Sequence, residues 1–151
     1  MNKEQKKESL SKAMTLSTRQ NTGESYYHFS DTAPKELVNI FLEHFEVREV
    51  DYNIFSNACD TMTEIYASLD NSEDREDVID DKIYEYGEHA SPYTSVRLGY
   101  LNVWNQDEIT DKVKEYDCDI ENACAFWYDE KVQEACNLIN NWVNETDSQS
   151  N

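Results

Sequence analysis

The chain has 151 residues, and its 13 Lys and Arg stand against 32 Asp and Glu, for a formal net charge of −19 at pH 7. That balance excludes bare binding to nucleic-acid phosphates or to an anionic bilayer surface, since both need clustered Lys and Arg. Hydrophobic residues make up 38% and aromatics 12%, with three Gly and two Pro. The aromatics suffice for a core, and the scarcity of turn formers excludes a sandwich or barrel and favours helices.

Residues 1–20 hold Lys3, Lys6, Lys7, Lys12 and Arg19 against Glu4 and Glu8. With only Leu10, Met14 and Leu16 as apolar features, residues 1–24 are expected to form a basic, flexible arm. Residues 26–29 have the makings of a short extended piece. Ser30, Asp31 and Thr32 offer capping oxygens before Pro34, and Leu37, Val38, Phe41, Leu42 and Phe45 follow at helical spacing, predicting a helix near 34–46. Asp51 is a candidate cap for the next helix. Its stripe of Tyr52, Phe55, Cys59, Met62, Ile65, Tyr66 and Leu69 steps by three and four, the strongest periodic signal in the chain.

A third helix is predicted over 72–87, closed by Gly87. Ser91-Pro92 restarts the chain, with Tyr93, Val96, Tyr100, Leu101 and Trp104 lining a fourth helix that has Gly99 inside it. Shorter helical pieces are expected over 106–116 and 119–128. A last helix near 129–145 carries Val132, Ala135, Cys136, Ile139, Trp142 and Val143 on one side. Residues 146–151 are expected to be disordered. The expected fold is thus all-α: a single compact domain of five to seven helices over 25–145, with a mobile N-terminal arm. No apolar run approaches the ~18 residues of a membrane span, and the N-terminal lysines precede no apolar stretch of the kind export requires. Cytoplasm is the expected location. Cys59, Cys118, Cys124 and Cys136 fall on helical stretches without C-x-x-C spacing, so buried thiols are expected rather than disulfides.

The motifs of catalysis are missing. His28, His44 and His89 have no ligand spacing, and neither H-E-x-x-H, a phosphate-cradling glycine loop nor G-x-S-x-G occurs. A carboxylate-x-Lys pairing appears only at Glu4–Lys6, inside the expected arm. Asp70, Ser72, Asp74, Glu76 and Asp81 mimic a calcium loop, but Arg75 stands where the sharp turn wants Gly and the twelfth place holds Asp rather than Glu. Asn144-Glu145-Thr146 spells a glycosylation acceptor that has no meaning without secretion. No catalytic residue, metal or cofactor is expected, and the chain is read as a non-enzyme.

Acidic side chains carry the remaining signal. On a helix over 73–88, Ile79, Ile83 and Tyr86 share one face, while Glu73, Asp77, Asp80, Asp81 and Glu88 fall opposite with Tyr84 among them. Glu73, Asp77, Asp81 and Glu85 make three like-charge pairs four residues apart, each costing ~0.2–0.5 kcal/mol in an isolated helix. Mixed charges would give solubility without that cost. Two further groups are Asp107, Glu108, Asp111, Glu115, Asp117, Asp119 and Glu121, and Glu43, Glu46, Glu49 and Asp51. Residues four apart on a helix stand ~5–6 Å from one another, close enough to phosphate spacing for a carboxylate row to stand in for a phosphate row. A cationic nucleic-acid groove would attract such a row, and Tyr84 would offer a stacking surface. The expected partner-binding set is Glu73, Asp77, Asp80, Asp81, Tyr84, Glu85 and Glu88. A solvated, merely solubilising face is the alternative reading.

Ser91-Pro92-Tyr93-Thr94-Ser95 opening a helix, within a stretch from Tyr84 through Trp104, and Trp127-Tyr128-Asp129-Glu130-Lys131-Val132 resemble small acidic helical domains encoded by bacteriophages and other mobile elements. In overall character the chain is similar to phage anti-restriction and anti-CRISPR proteins. That resemblance implies an inert inhibitor that imitates DNA in the bacterial host cytoplasm. Its partner would be a basic nucleic-acid-binding protein, a CRISPR effector or restriction nuclease, with no direct contact to nucleic acid or membrane. The alternative is an immunity protein or antitoxin that neutralises a basic toxin.

Overall fold

A computed structural model of the protein describes residues 1–69, 75–89 and 98–145; for Glu49 and for residues 87–89 and 98–106 it describes the backbone alone. Among these residues the chain forms α1 (Lys3–Leu10), β1 (Met14–Thr18), β2 (Ser25–Phe29), α2 (Lys35–His44), α3 (Glu49–Ser68), α4 (Glu76–His89), α5 (Leu98–Tyr116) and α6 (Ile120–Asn144). Helices α3 and α6 pack together at the centre. Helices α4 and α5 lie against α6, α1 bridges α3 and α6, and the hairpin leans on α3 through β2.

The fold is therefore mostly helical but not all-α. The antiparallel strands pair Met14 with Phe29 and Leu16 with Tyr27. The brief extension expected at 26–29 is β2, and its partner is the segment read as arm. Alternation in Met14-Thr15-Leu16-Ser17 is too short to stand out alone, and the pairing gives it meaning. Ser17 and His28 brace the two strands. The Ser17 hydroxyl donates to His28 Nε2 (2.7 Å) while His28 Nδ1–H donates to the Phe29 carbonyl (2.9 Å).

Nor is the N-terminus a free arm. Asn2 Oδ1 accepts from the Gln5 amide (2.8 Å) and Gln5 Oε1 accepts from the Asn2 amide (2.9 Å), a reciprocal cap that starts α1. Lys6 and Leu10, one turn apart, face inward and are buried. Lys6 Nζ donates to the Trp142 carbonyl (2.9 Å) and sits 5.2 Å from that residue's ring centroid. A lysine thus adds a second donor to a carbonyl in the last turn of α6, which also accepts from the Glu145 amide (3.3 Å), at the end where the helix dipole favours positive charge.

Other boundaries also move. Pro34 precedes α2 as its N-cap, with no side-chain cap bond. Helix α3 starts at Glu49 with Arg48 at the N-cap, so Asp51 is an interior residue rather than a cap. Gly87 does not end α4, which continues to His89. Helix α5 runs unbroken across the expected junction after Trp104, and the Ser91-Pro92 start lies outside the described residues. The two pieces expected over 119–128 and 129–145 are one helix of 25 residues. Ala123, Cys124, Trp127, Tyr128, Val132, Ala135, Cys136, Ile139, Trp142 and Val143 form one buried stripe, and neither Gly nor Pro interrupts it. Asp119 caps α6 by accepting from the Asn122 amide (2.8 Å).

The core joins that stripe to Ile54, Phe55, Met62 and Ile65 of α3 and to Ile79 and Ile83 of α4. An aromatic group under the hairpin links Phe29, Phe41, Phe45, Tyr52 and Phe55, with Phe29 edge-on to Phe41 at 4.9 Å and Phe41 edge-on to Phe55 at 5.0 Å. All four cysteines are free thiols; Cys59, Cys124 and Cys136 are buried and Cys118 half-buried. Burial raises the Cys59 thiol strongly and pushes Cys136 up to about 12, so both are protonated packing groups. No described helix is long and apolar enough to cross a membrane.

Candidate protein-binding surface

Helix α4 is amphipathic in the sense its sequence dictates. Ile79 and Ile83 are wholly buried and Tyr86 half-buried, which anchors the helix on α6 and α3. The opposite side carries Asp77, Asp80, Asp81, Tyr84 and Glu85, all exposed, with Tyr84 at 65% of its full accessibility, and Glu76 is exposed in the first turn. Glu76 and Asp77 occupy the first turn, where the helix dipole favours anions. Asp81 and Glu85 lie further along and gain little from it.

Five members of the expected partner-binding set, Asp77, Asp80, Asp81, Tyr84 and Glu85, thus share one helix side. Glu73 lies outside the described residues, as do Asp70, Ser72 and Asp74 of the calcium-like stretch. Glu88 is placed on α4 by its backbone alone. Among the described residues, Asp77, Asp80, Asp81 and Glu85 enter no ion pair.

Helix α6 contributes a neighbour that the sequence reading missed. Between α4 and α6 lies an open groove of about 550 Å³ lined by Glu76, Asp80 and Tyr84 on one wall and Gln133, Asn137, Asn140 and Asn141 on the other. Asn140 is already committed, since its Oδ1 accepts from the Tyr66 hydroxyl (2.8 Å) and from Asn144 Nδ2 (3.0 Å). The polar face of α6 at 133, 137, 140 and 141 was legible as helical spacing. Its meeting with α4 is a tertiary fact.

The other two acidic groups are employed in part: Asp107, Asp111, Asp117 and Glu121 of the second and Glu43 of the third are exposed and, among the described residues, enter no ion pair. In the second, Glu108 accepts a hydrogen bond from the Trp127 indole N–H and lies 3.8 Å from Lys131. Lys112 pairs with Glu130 and with Glu115 (3.2 Å). Its hydrogen bond to Glu130 is the main reason its pKa is raised, burial acting the other way. Lys131 also meets Glu134 (3.3 Å), which reaches His44 (3.0 Å). In the third, Glu46 pairs with Arg48 and Asp51 is buried. Burial lifts the Asp51 pKa to about 6 against the pull of Arg48 and Lys131, and Glu108 adds to the rise. Asp129, in α6, rises to about 7 through burial, and its Oδ1 has no hydrogen-bond partner. No group of three or more His, Cys, Asp or Glu among the described residues is arranged to hold a metal ion.

Comparison with known proteins returns no match from family models, curated proteins or solved structures.

Proposed function

We propose that the protein is a non-enzymatic inhibitor whose α4 surface occupies the DNA- or RNA-binding groove of a bacterial defence nuclease, of the anti-CRISPR or anti-restriction type, in the host cytoplasm. The observation that carries this reading is the exposed carboxylate row Asp77, Asp80, Asp81 and Glu85, which no described cation neutralises. Lys112 and Lys131 pair acids at the α5–α6 seam, and among the described residues no cation does so on this row. Lys and Arg that line a nucleic-acid groove gain from such a row what they gain from phosphates. Tyr84 offers the target a ring in place of a base.

The test is a DNA-cleavage assay on purified CRISPR effectors and restriction nucleases with the protein added in rising ratio. Inhibition at near-equimolar ratio is expected, relieved by excess duplex DNA. A variant with Asp77→Lys, Asp80→Lys and Asp81→Lys is expected to lose inhibition while keeping its helical circular dichroism. Full inhibition by that folded variant would overturn the reading.

A further inference from the structure

We propose that two copies of this chain associate edge to edge through β1, forming a four-stranded antiparallel sheet with Leu16 at its two-fold axis. The Arg19 amide donates to the Glu24 carbonyl and the Ser30 amide to the Ala13 carbonyl, both at 2.8 Å. These contacts fix which residues of β1 exchange hydrogen bonds with β2. They are the odd-numbered ones, because bonded and non-bonded pairs alternate along an antiparallel ladder. The N–H and C=O groups of Met14, Leu16 and Thr18 therefore point to the outer edge. No described residue takes them up, and β2 is the one described element packed extensively on β1.

This edge is complementary to itself. Turned about Leu16, it brings Leu16 opposite its own copy and Met14 opposite Thr18 of the second chain, so every outward donor meets an outward acceptor. The side chains agree. Met14 and Phe29, on the same sheet face as Leu16, pack against the core, yet Leu16 is 55% exposed. Across the axis the two Leu16 side chains would cover each other.

Charge selects the same place. Neither Met14–Thr18 nor Ser25–Phe29 contains Asp, Glu, Lys or Arg. In a chain of net charge −19 this hairpin is a neutral strip by which two copies can approach. Native edge strands commonly avoid pairing by carrying Lys, Pro or a bulge, and β1 carries none of these.

Sedimentation velocity of the full chain, from low to high micromolar concentration and at low and high salt, tests the proposal. A monomer–dimer equilibrium that strengthens with salt is expected, since screening relieves repulsion between the acidic bodies. Leu16→Lys should give a folded monomer. Leu16→Cys should form an intermolecular disulfide when glutathione disulfide is added, the oxidant being reduced to two glutathione thiols. The ~5.5 Å Cα separation of a hydrogen-bonded pair suits that bond. Thr15→Cys, off the axis and on the opposite face, should link at least about tenfold more slowly, with the unsubstituted chain as control.

A monomer at every concentration and salt, a dimer that survives Leu16→Lys, or equal cross-linking at positions 15 and 16 would each overturn the proposal. The α4 charge reversal should leave the dimer intact, so failure here and failure of the inhibitor reading are separate results.

Discussion

On α4, Asp77, Asp80, Asp81 and Glu85 face water with no described ion-pair partner. Along the α5–α6 seam, Glu130 meets Lys112 and Glu108 meets Lys131 between the helices, while Glu115 and Glu134 meet the same lysines within their own helices. Both regions are acidic helix surface, and composition does not distinguish them. What separates them is the placement of two lysines and one indole N–H. The paired carboxylates at the seam orient neighbours and belong to the fold, whereas on our proposal those on α4 meet a partner. The contrast suggests where each kind of damage should appear: in stability at the seam, in binding on α4.

The largest expected effect is on binding. The combined Asp77→Lys, Asp80→Lys and Asp81→Lys change should weaken association with the target nuclease by about a hundredfold or more, equivalent to ~3 kcal/mol. Its melting temperature should stay within a few degrees of the unsubstituted chain. Next is Glu108→Ala, which strands the buried Trp127 indole N–H. Leaving a buried donor unsatisfied costs ~1–3 kcal/mol, and at this chain length each kcal/mol lowers the melting temperature by ~2–4 °C. Affinity for the target should be unchanged. Reversed outcomes, with the seam variant failing to bind and the α4 variant failing to fold, would break the comparison.

A smaller effect concerns pH. Asp51 and Asp129 hold their protons in the folded chain up to about 6 and about 7, because burial disfavours the charged form. Unfolded, an aspartate releases its proton near ~4. The folded state thus binds more protons between those values, and stability must fall as pH rises through that window. Thermal melts from pH 4 to pH 8 should show the decline. Asp129→Asn should flatten it and raise the melting temperature at pH 8 by a few degrees. Smallest of all, Asp80→Asn alone should weaken target binding by no more than ~fivefold, as suits one exposed charge among several, with no change in the melt.

The amphipathic helices were legible because burial and periodicity coincide. Ile79 and Ile83 against Asp77, Asp80 and Asp81 read as two sides of one helix before any coordinates. The stripes of α2, α3 and α6 read likewise, although the acidic Asp129-Glu130 pair resembled a helix start and divided α6 in two. The N-terminal elements were harder. Asn2 and Gln5 at cap spacing are a local signal that the surrounding lysines obscured. Lys6 has meaning only beside the end of α6, 136 residues away. Strand β1 carries a period too short to show without β2. For the candidate site, the sequence placed the acids on one side of α4. It could not show which acids of the other two groups are paired, because that depends on which cations the tertiary fold brings near.

The most direct test of the α4 display is the equilibrium affinity of the unaltered protein for an inhibited defence nuclease, measured by calorimetry across a salt series with and without competing duplex DNA. Affinity should fall steeply and log-linearly with salt, and DNA should compete for the same site. An affinity indifferent to salt, or a ternary complex with DNA still seated in its groove, would contradict the account.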